Sequence, residues 1–207
     1  MKRFILLGCL LLAAAAMCAQ IIHVPGPSNL TIQQGINLAA AGDTVVVAEG
    51  IYYERINFMG KKPLTVASEF ILDNNESHIN NTILDGSHLS FSGNNSIVYF
   101  ILGEDTTSTL CGFTIQNGKG TNYTHDPQGE MVRYKAGGAI FISGSGARII
   151  HNRITHNHLN YNPLNNNIEV FEGAAIATEW AENDNWVILE NNIIDWNTCY
   201  AGSVSAR

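Results

Sequence analysis

The sequence predicts an all-β solenoid with one short α-helix near its start, and three observations carry that expectation. Short apolar segments, each bounded by Gly, Asn, Asp or Pro, follow one another from Thr44 onward in a chain of 207 residues. One segment recurs: "IIHNRITHN" (149–157) superimposes on "LENNIIDWN" (189–197) at an offset of 40 residues. Within each copy two apolar positions stand five residues apart, Ile149 with Ile154 and Leu189 with Ile194. An odd spacing cannot place both on one face of a single strand, whose side chains alternate with period two.

The helix comes first. In "NLTIQQGINLAAAGD", Thr31 followed by Gln34 forms a capping box. Ile32, Ile36 and Ala39 or Ala40 recur at helical spacing, and Gly42 suits a left-handed stop. Beyond it the pattern predicts strands at 44–48, 55–58, 64–67, 82–84, 97–102, 110–115, 139–143, 148–150, 153–155, 175–178, 187–189 and 193–195. Pro63 stands at a strand entry, where a missing N–H is tolerated. Residues 118–136, 158–172 and 179–185 are expected as loops.

The repeat explains itself if each copy is strand, sharp bend, strand. Asn152 aligns with Asn192, Asn157 with Asn197, and a further step of 40 brings Gly112 to Asn152 and Asn117 to Asn157. Asn152, Asn192 and Gly112 fall at the bend, as residue types that tolerate positive φ. Stacking such units about 4.8 Å apart places equal amides over one another. A hydrogen-bonded ladder of Asn117, Asn152, Asn157, Asn192 and Asn197 follows. In the earliest copy Phe113 and Ile115 flank Thr114, one residue out of step with Ile154. A second landmark, "GGAI" (137–140), "GAAI" (173–176) and "AGSV" (201–204), opens strands with small residues at separations of 36 and 28. Repeat units of roughly 20–30 residues with variable loops are a solenoid signature.

The chain opens with "MKRFILLGCLLLAAAAMCAQ", a positive start, an apolar run and small residues. This predicts a secretory signal over 1–19, a secreted or cell-surface location, and no transmembrane segment once the signal is removed. Removal takes Lys2 and Arg3 and no acids, leaving 9 basic against 18 acidic residues from the totals of 11 and 18. Such a balance excludes a nucleic-acid partner. Cys111 and Cys199 remain and read as packed free thiols. No zinc-ligand spacing is present.

"TIQQGINLAAAGDTVVVAEGIYYERINF" (31–58), "TILDGS" (82–87), "GFTIQNG" (112–118) and "GGAIFI" with "IIHNRITHN" resemble right-handed parallel β-helix proteins of the pectin-lyase-like superfamily. The resemblance covers most of residues 29–204. It implies a right-handed parallel β-helix over 20–207, with the helix at 31–41 capping the first coil. Residues 201–207 enter a new strand without a capping element, so a chain truncated at its C-terminus is expected.

Function is less constrained, since fold alone does not decide it. "GIYYE" (50–54) resembles the first motif of pectin methylesterases, but the later motifs that supply catalytic groups are missing. The residues themselves read as structural: Gly50 turns the chain, Ile51 or Tyr53 packs, Glu54 is solvated. The material for a polysaccharide lyase is Arg148, Arg153, Glu190 and Asp195, with Ca²⁺ as the cofactor such chemistry would use. No other cofactor and no resident metal are expected. His151, His156 and His158 cluster in sequence without a carboxylate or cysteine at ligand spacing, and His156 is expected to stack with Trp196 and Gln116. Trp180, Trp186 and Trp196, with His156, form a candidate glycan-binding set, because exposed aromatics offer apolar platforms to sugar rings. The expectation is an exported, non-catalytic β-helix protein that contacts a polysaccharide or surface glycan. The alternatives are a lyase or esterase of the same superfamily, or an inactive fragment of a larger passenger protein.

Overall fold

Ile149 and Ile154 are both fully buried, and they belong to two different strands that meet at a sharp corner. That corner is the building rule of the whole chain. The computed structural model describes residues 19–26, 30–89, 93–126, 129, 131–160, 170–179 and 185–200. Most of the predicted signal, Trp180 and the "AGSV" landmark lie outside the described residues.

The elements run in successive coils. The entry is β1 (Ile21–Val24) and α1 (Ile32–Leu38). The first coil holds β2 (Thr44–Val47), β3 (Gly50–Tyr52) and β4 (Ile56–Asn57). The second holds β5 (Leu64–Ser68), α2 (Phe70–Asp73), α3 (Ser77–Asn81), β6 (Thr82–Asp85), β7 (Asn94–Asn95) and β8 (Val98–Phe100). The third holds β9 (Ser108–Cys111), β10 (Thr114–Gln116), β11 (Gly120–His125), β12 (Val132–Ala136) and β13 (Ile140–Ser143). The fourth holds β14 (Ala147–Ile150), β15 (Arg153–Thr155), β16 (His158–Asn160), β17 (Val170–Glu172) and β18 (Ile176–Glu179), and then come β19 (Val187–Glu190), β20 (Ile193–Asp195) and β21 (Thr198–Tyr200).

Equivalent strands pair in parallel from coil to coil. Sheet A orders β1-β2-β5-β9-β14-β19, sheet B β3-β6-β10-β15-β20 and sheet C β4-β8-β13-β18. A fourth sheet, β7-β11-β12-β17, and the pair β16-β21 lie beside them. The chain is therefore predominantly β, with parallel sheets in a solenoid-like arrangement.

In-register pairing turns each inward position into a column. Val45, Val66, Leu110 and Ile149 stack on sheet A, and each is fully buried. Leu84, Ile115 and Ile154 do the same on sheet B. On sheet C, Val98 stacks on Ile140, and Phe58 meets Phe100 with ring centroids 4.1 Å apart. Leu189 and Ile194 continue two of these columns but remain 49% and 48% exposed, because no described coil lies beyond them.

The helix forms as its capping box predicts, with Thr31 accepting from Gln34 N and Gln34 Oε1 accepting from Thr31 N. It buries Ile32, Gly35 and Ile36. It ends earlier than expected: Ala39 is an extended C-cap, and Gly42, with φ +95°, turns the chain into β2 instead. Glu54 corrects a second expectation. It is not solvated; its two carboxylate oxygens accept from Ile32 N (3.0 Å) and Gln33 N (3.1 Å), at the positive end of α1. Of its neighbours, Tyr52 packs against the core and donates to Ala48 O (2.8 Å), while Ile51 and Tyr53 stay exposed.

The corners carry the ladder, with two corrections. The residue in the left-handed region is the one before each asparagine: His151 (φ 54°) precedes Asn152, Asn191 (53°) precedes Asn192, His156 (53°) precedes Asn157, and Trp196 (52°) precedes Asn197. The asparagine itself points inward and caps the turn. Between the third and fourth coils the register is 39 residues, as Leu110↔Ile149 and Ile115↔Ile154 show. The one-residue slip around Thr114 is real. Asn117 (φ 62°) therefore takes the left-handed corner beside His156, and its amide donates to both oxygens of Asp85. Gly118 stands over Asn157, where its N–H donates to Asn157 Oδ1 (2.8 Å) and a Cβ would run into Gly138 O.

Two expected features gain structure. The 118–136 loop is an antiparallel hairpin, β11 on β12, laid against the outer face of sheet C. The 158–172 segment contributes β16 and β17. In the second coil, α2 and α3 form a strap over the outer face of sheet A, with Phe70 and Ile79 against Ala67, Cys111 and Ile150. Cys111 is buried and Cys199 exposed, and both are free thiols.

Candidate functional site

Side chains at a left-handed corner leave the core, because the backbone there turns the Cα–Cβ bond outward. His156 and Trp196 occupy equivalent corners of adjacent coils, and their rings stack with centroids 6.3 Å apart and planes 16° from parallel. Trp196 is 72% exposed. His156 is exposed as well, although a further coil lies against it, so the corner rather than position along the stack exposes this column. Trp186 projects from the turn before β19, 71% exposed. Gln116 is not in the column; it pairs with Thr155, one residue earlier, and donates to Asp85 (2.8 Å).

The four charged candidates form two separate cross-strand pairs. Arg148 donates to Glu190 at 2.7 Å on sheet A. Arg153 lies 3.4 Å from Asp195 on sheet B, across the corner at His151–Asn152. All four side chains are roughly one third to one half exposed, so each pair contributes at most about 1 kcal/mol. The histidines do not converge. His151 contacts Asn191, His156 contacts Thr155, and His158 contacts Thr198. Among the described residues no group of three or more His, Cys, Asp or Glu could hold a metal ion.

A groove of about 280 Å³ runs along the outer face of sheet A beside the strap. Phe70, Ile71, Thr65, Thr109, Arg148 and His151 line it, and the rings of Phe70 and His151 meet with centroids 5.0 Å apart. Cys111 lies at its base; burial pushes the thiol up to about 11, which keeps it protonated and unreactive near neutrality.

A further cluster sits where the hairpin meets sheet C. Tyr123 stacks on Tyr134 at 4.9 Å and donates to Glu172 at 3.1 Å. Burial first, and then Glu179 and Glu172, hold the Tyr123 phenol well above its usual value, so it is a neutral donor. Glu179 is raised above the ordinary carboxylate range by burial and by Glu172, against the opposing pull of Tyr123 and His125. The phenol thus stands between two carboxylates, with the paired rings beside it. Sequence reasoning misses these residues because they fall in expected loops. The signal is nonetheless present: "TNYTH" (121–125) and "VRYKA" (132–136) flank "DPQG" (126–129), a turn composition between alternating segments.

No family model, curated protein or solved structure matches the chain. What the chain can do is therefore read from its geometry and chemistry. No helix among the described residues is long and apolar enough to cross a membrane.

Proposed function

We propose that the protein is an exported right-handed parallel β-helix of the pectin-lyase-like kind that binds a polysaccharide or surface glycan without cleaving it. The observation that carries this reading is Trp196. A bulky side chain in the left-handed region costs roughly 1–2 kcal/mol, and burial that could offset the cost is missing at 72% exposure. Its stack with His156 instead gives a flat, outward surface, and Trp186 adds a second one two strands away in the chain. Such faces suit the apolar side of a sugar ring. The acidic balance of the chain, −7 overall, argues against a nucleic-acid partner.

Affinity electrophoresis through gels cast with neutral and acidic polysaccharides tests the proposal. Wild type is retarded on at least one of them and Trp196→Ala runs unretarded with unchanged stability. Equal mobility of the two proteins on every polysaccharide would remove the proposal.

The Arg153–Asp195 pair supports a second reading, a polysaccharide lyase using Arg153 as base, with Ca²⁺ or another charge neutraliser for the substrate carboxylate. It predicts an unsaturated product absorbing in the ultraviolet that Arg153→Ala abolishes. Retention on the gel with no such product favours the binding protein.

A further inference from the structure

The crossing from sheet A to sheet B takes only Ala48 and Glu49 in the first coil, between β2 and β3. In the second coil it takes residues 69–81, the strap that carries α2 and α3. Its apolar anchorage is small, Phe70 and Ile79 on Ala67, Cys111 and Ile150, joined by a hydrogen bond from Thr114 Oγ1 to Ile79 O (2.7 Å). Glu69 N donates to Val47 O (3.2 Å) and the Phe70 ring meets His151 with centroids 5.0 Å apart; beyond these, the attachment is electrostatic and converges on one side chain.

That side chain is His78. Its Nδ1 lies 2.9 Å from Glu49 Oε1 and 3.8 Å from Glu69 Oε2, and its Nε2 lies 3.3 Å from Asp73 Oδ2. The three carboxylates come from three places: the first-coil crossing, the strap's entry and α2. The imidazole is only 17% exposed. Among the described residues none of these carboxylates is ion-paired with a Lys or Arg. Tyr52 is the other titratable group near Glu69; His151 meets the strap's Phe70 and, with Arg148, lines the groove beside it.

We propose that His78 is a proton-operated latch: as an imidazolium it binds the strap to the coil body through Glu49, Glu69 and Asp73, and as a neutral imidazole it releases the strap. Loss of the proton leaves three carboxylates crowded together with no counter-charge, so attraction turns to repulsion. Release uncovers the outer face of sheet A over Ala67, Cys111 and Ile150. It also parts Phe70 from His151 and takes Phe70 and Ile71 out of the groove lining.

The direction in pH follows from linkage. Burial opposes the His78 charge, but the hydrogen bond to Asp73 and the close carboxylate of Glu49 overcome it and raise the group above its ordinary value of 6.5. A raised folded-state value means that the latch is fully engaged below the ordinary value and is lost as pH rises through the raised one. The strap is therefore held in mildly acidic solution and opens on the alkaline side.

Hydrogen exchange across a pH series, corrected for intrinsic rates, tests this on the full chain. Protection of 70–81 relative to the sheet A strands is expected to be lost as the imidazolium loses its proton. The midpoint should coincide with the His78 titration followed by NMR. His78→Gln should flatten the dependence, and Glu49→Gln should move the midpoint to lower pH. Protection of 70–81 that stays constant with pH overturns the proposal, as does an undiminished dependence in His78→Gln. If His78→Gln does not fold, an unmoved midpoint in Glu49→Gln overturns it instead.

Discussion

Asn192 Oδ1 accepts from both the backbone N–H (2.9 Å) and the side-chain amide (3.2 Å) of Asn152. One coil earlier Asn152 repeats the motif, with its Oδ1 accepting from Phe113 N (3.0 Å) and its amide donating to Leu110 O and Ile150 O. Asn157 and Asn197 form the same link at the next corner. A two-residue corner leaves backbone groups that no strand ladder reaches, and a buried polar group without a partner is costly. The asparagine is therefore the device that makes so tight a corner possible. Asn152→Ala leaves Phe113 N–H without its acceptor in the core, and is expected to cost about 2 kcal/mol. Asn192→Ala, in a more open coil, is expected to cost about 1 kcal/mol. Urea unfolding midpoints for the two variants give the comparison, and equal losses would refute the role of burial.

Glu104 ties three coils together. It is fully buried and accepts from Gly60 N (2.8 Å), Leu102 N (2.8 Å) and Ser145 Oγ (2.9 Å). Glu104→Ala leaves all three donors unmet and is expected to lower stability by about 3–4 kcal/mol. Glu104→Gln, which keeps the shape but turns one acceptor into a donor, is expected to lose roughly half of that. Calorimetry of both variants checks the order.

Trp196→Gly separates stability from binding. Glycine enters the left-handed region without steric cost, so the variant is expected to match or exceed wild type by up to about 1 kcal/mol while losing retention on polysaccharide. Denaturant titration and affinity electrophoresis on the same preparation read both effects. A variant that is clearly less stable would show that Trp196 serves the fold.

Acid sensitivity is expected at the start of the solenoid. Asp43 accepts from Gln20 N and Ala40 N, both at 2.8 Å, and these bonds, with Lys61 nearby, hold its carboxyl below the usual carboxylate range. A depressed folded-state value contributes stability that is complete above the ordinary value of 3.8 and is lost as pH falls through the folded one. Wild type is expected to lose protection at β1 and the start of β2 in that acid window, with Asp43→Asn showing a weaker pH dependence there. Hydrogen exchange by mass spectrometry at stepped acid pH distinguishes the two.

Much of the architecture is legible in the sequence because it is local. The Thr31–Gln34 box lies within one turn, and an odd spacing of five between Ile149 and Ile154 demands a corner wherever it occurs. The repeat at 40 residues sets the pairing of Asn152 with Asn192 for the same reason. The Asn117 register is not legible, because Phe113 and Ile115 are both buried and the local pattern does not say which of them stacks on Ile154. Only packing against Leu84 and Ile154 selects Ile115 for that column. Glu54 reads as solvated because its partners, Ile32 N and Gln33 N, are distant in sequence.

By itself, then, the sequence determined a stack of short strands broken at asparagine corners, since strand alternation and turn chemistry are properties of neighbouring residues. Only the tertiary structure decided further contacts across coils: Glu54 on α1, Glu104 among three turns, and His78 among three carboxylates. Each of those contacts depends on a register or on an inserted segment folding back. Short-range patterns do not encode the free energy that selects such arrangements; it belongs to the packed whole.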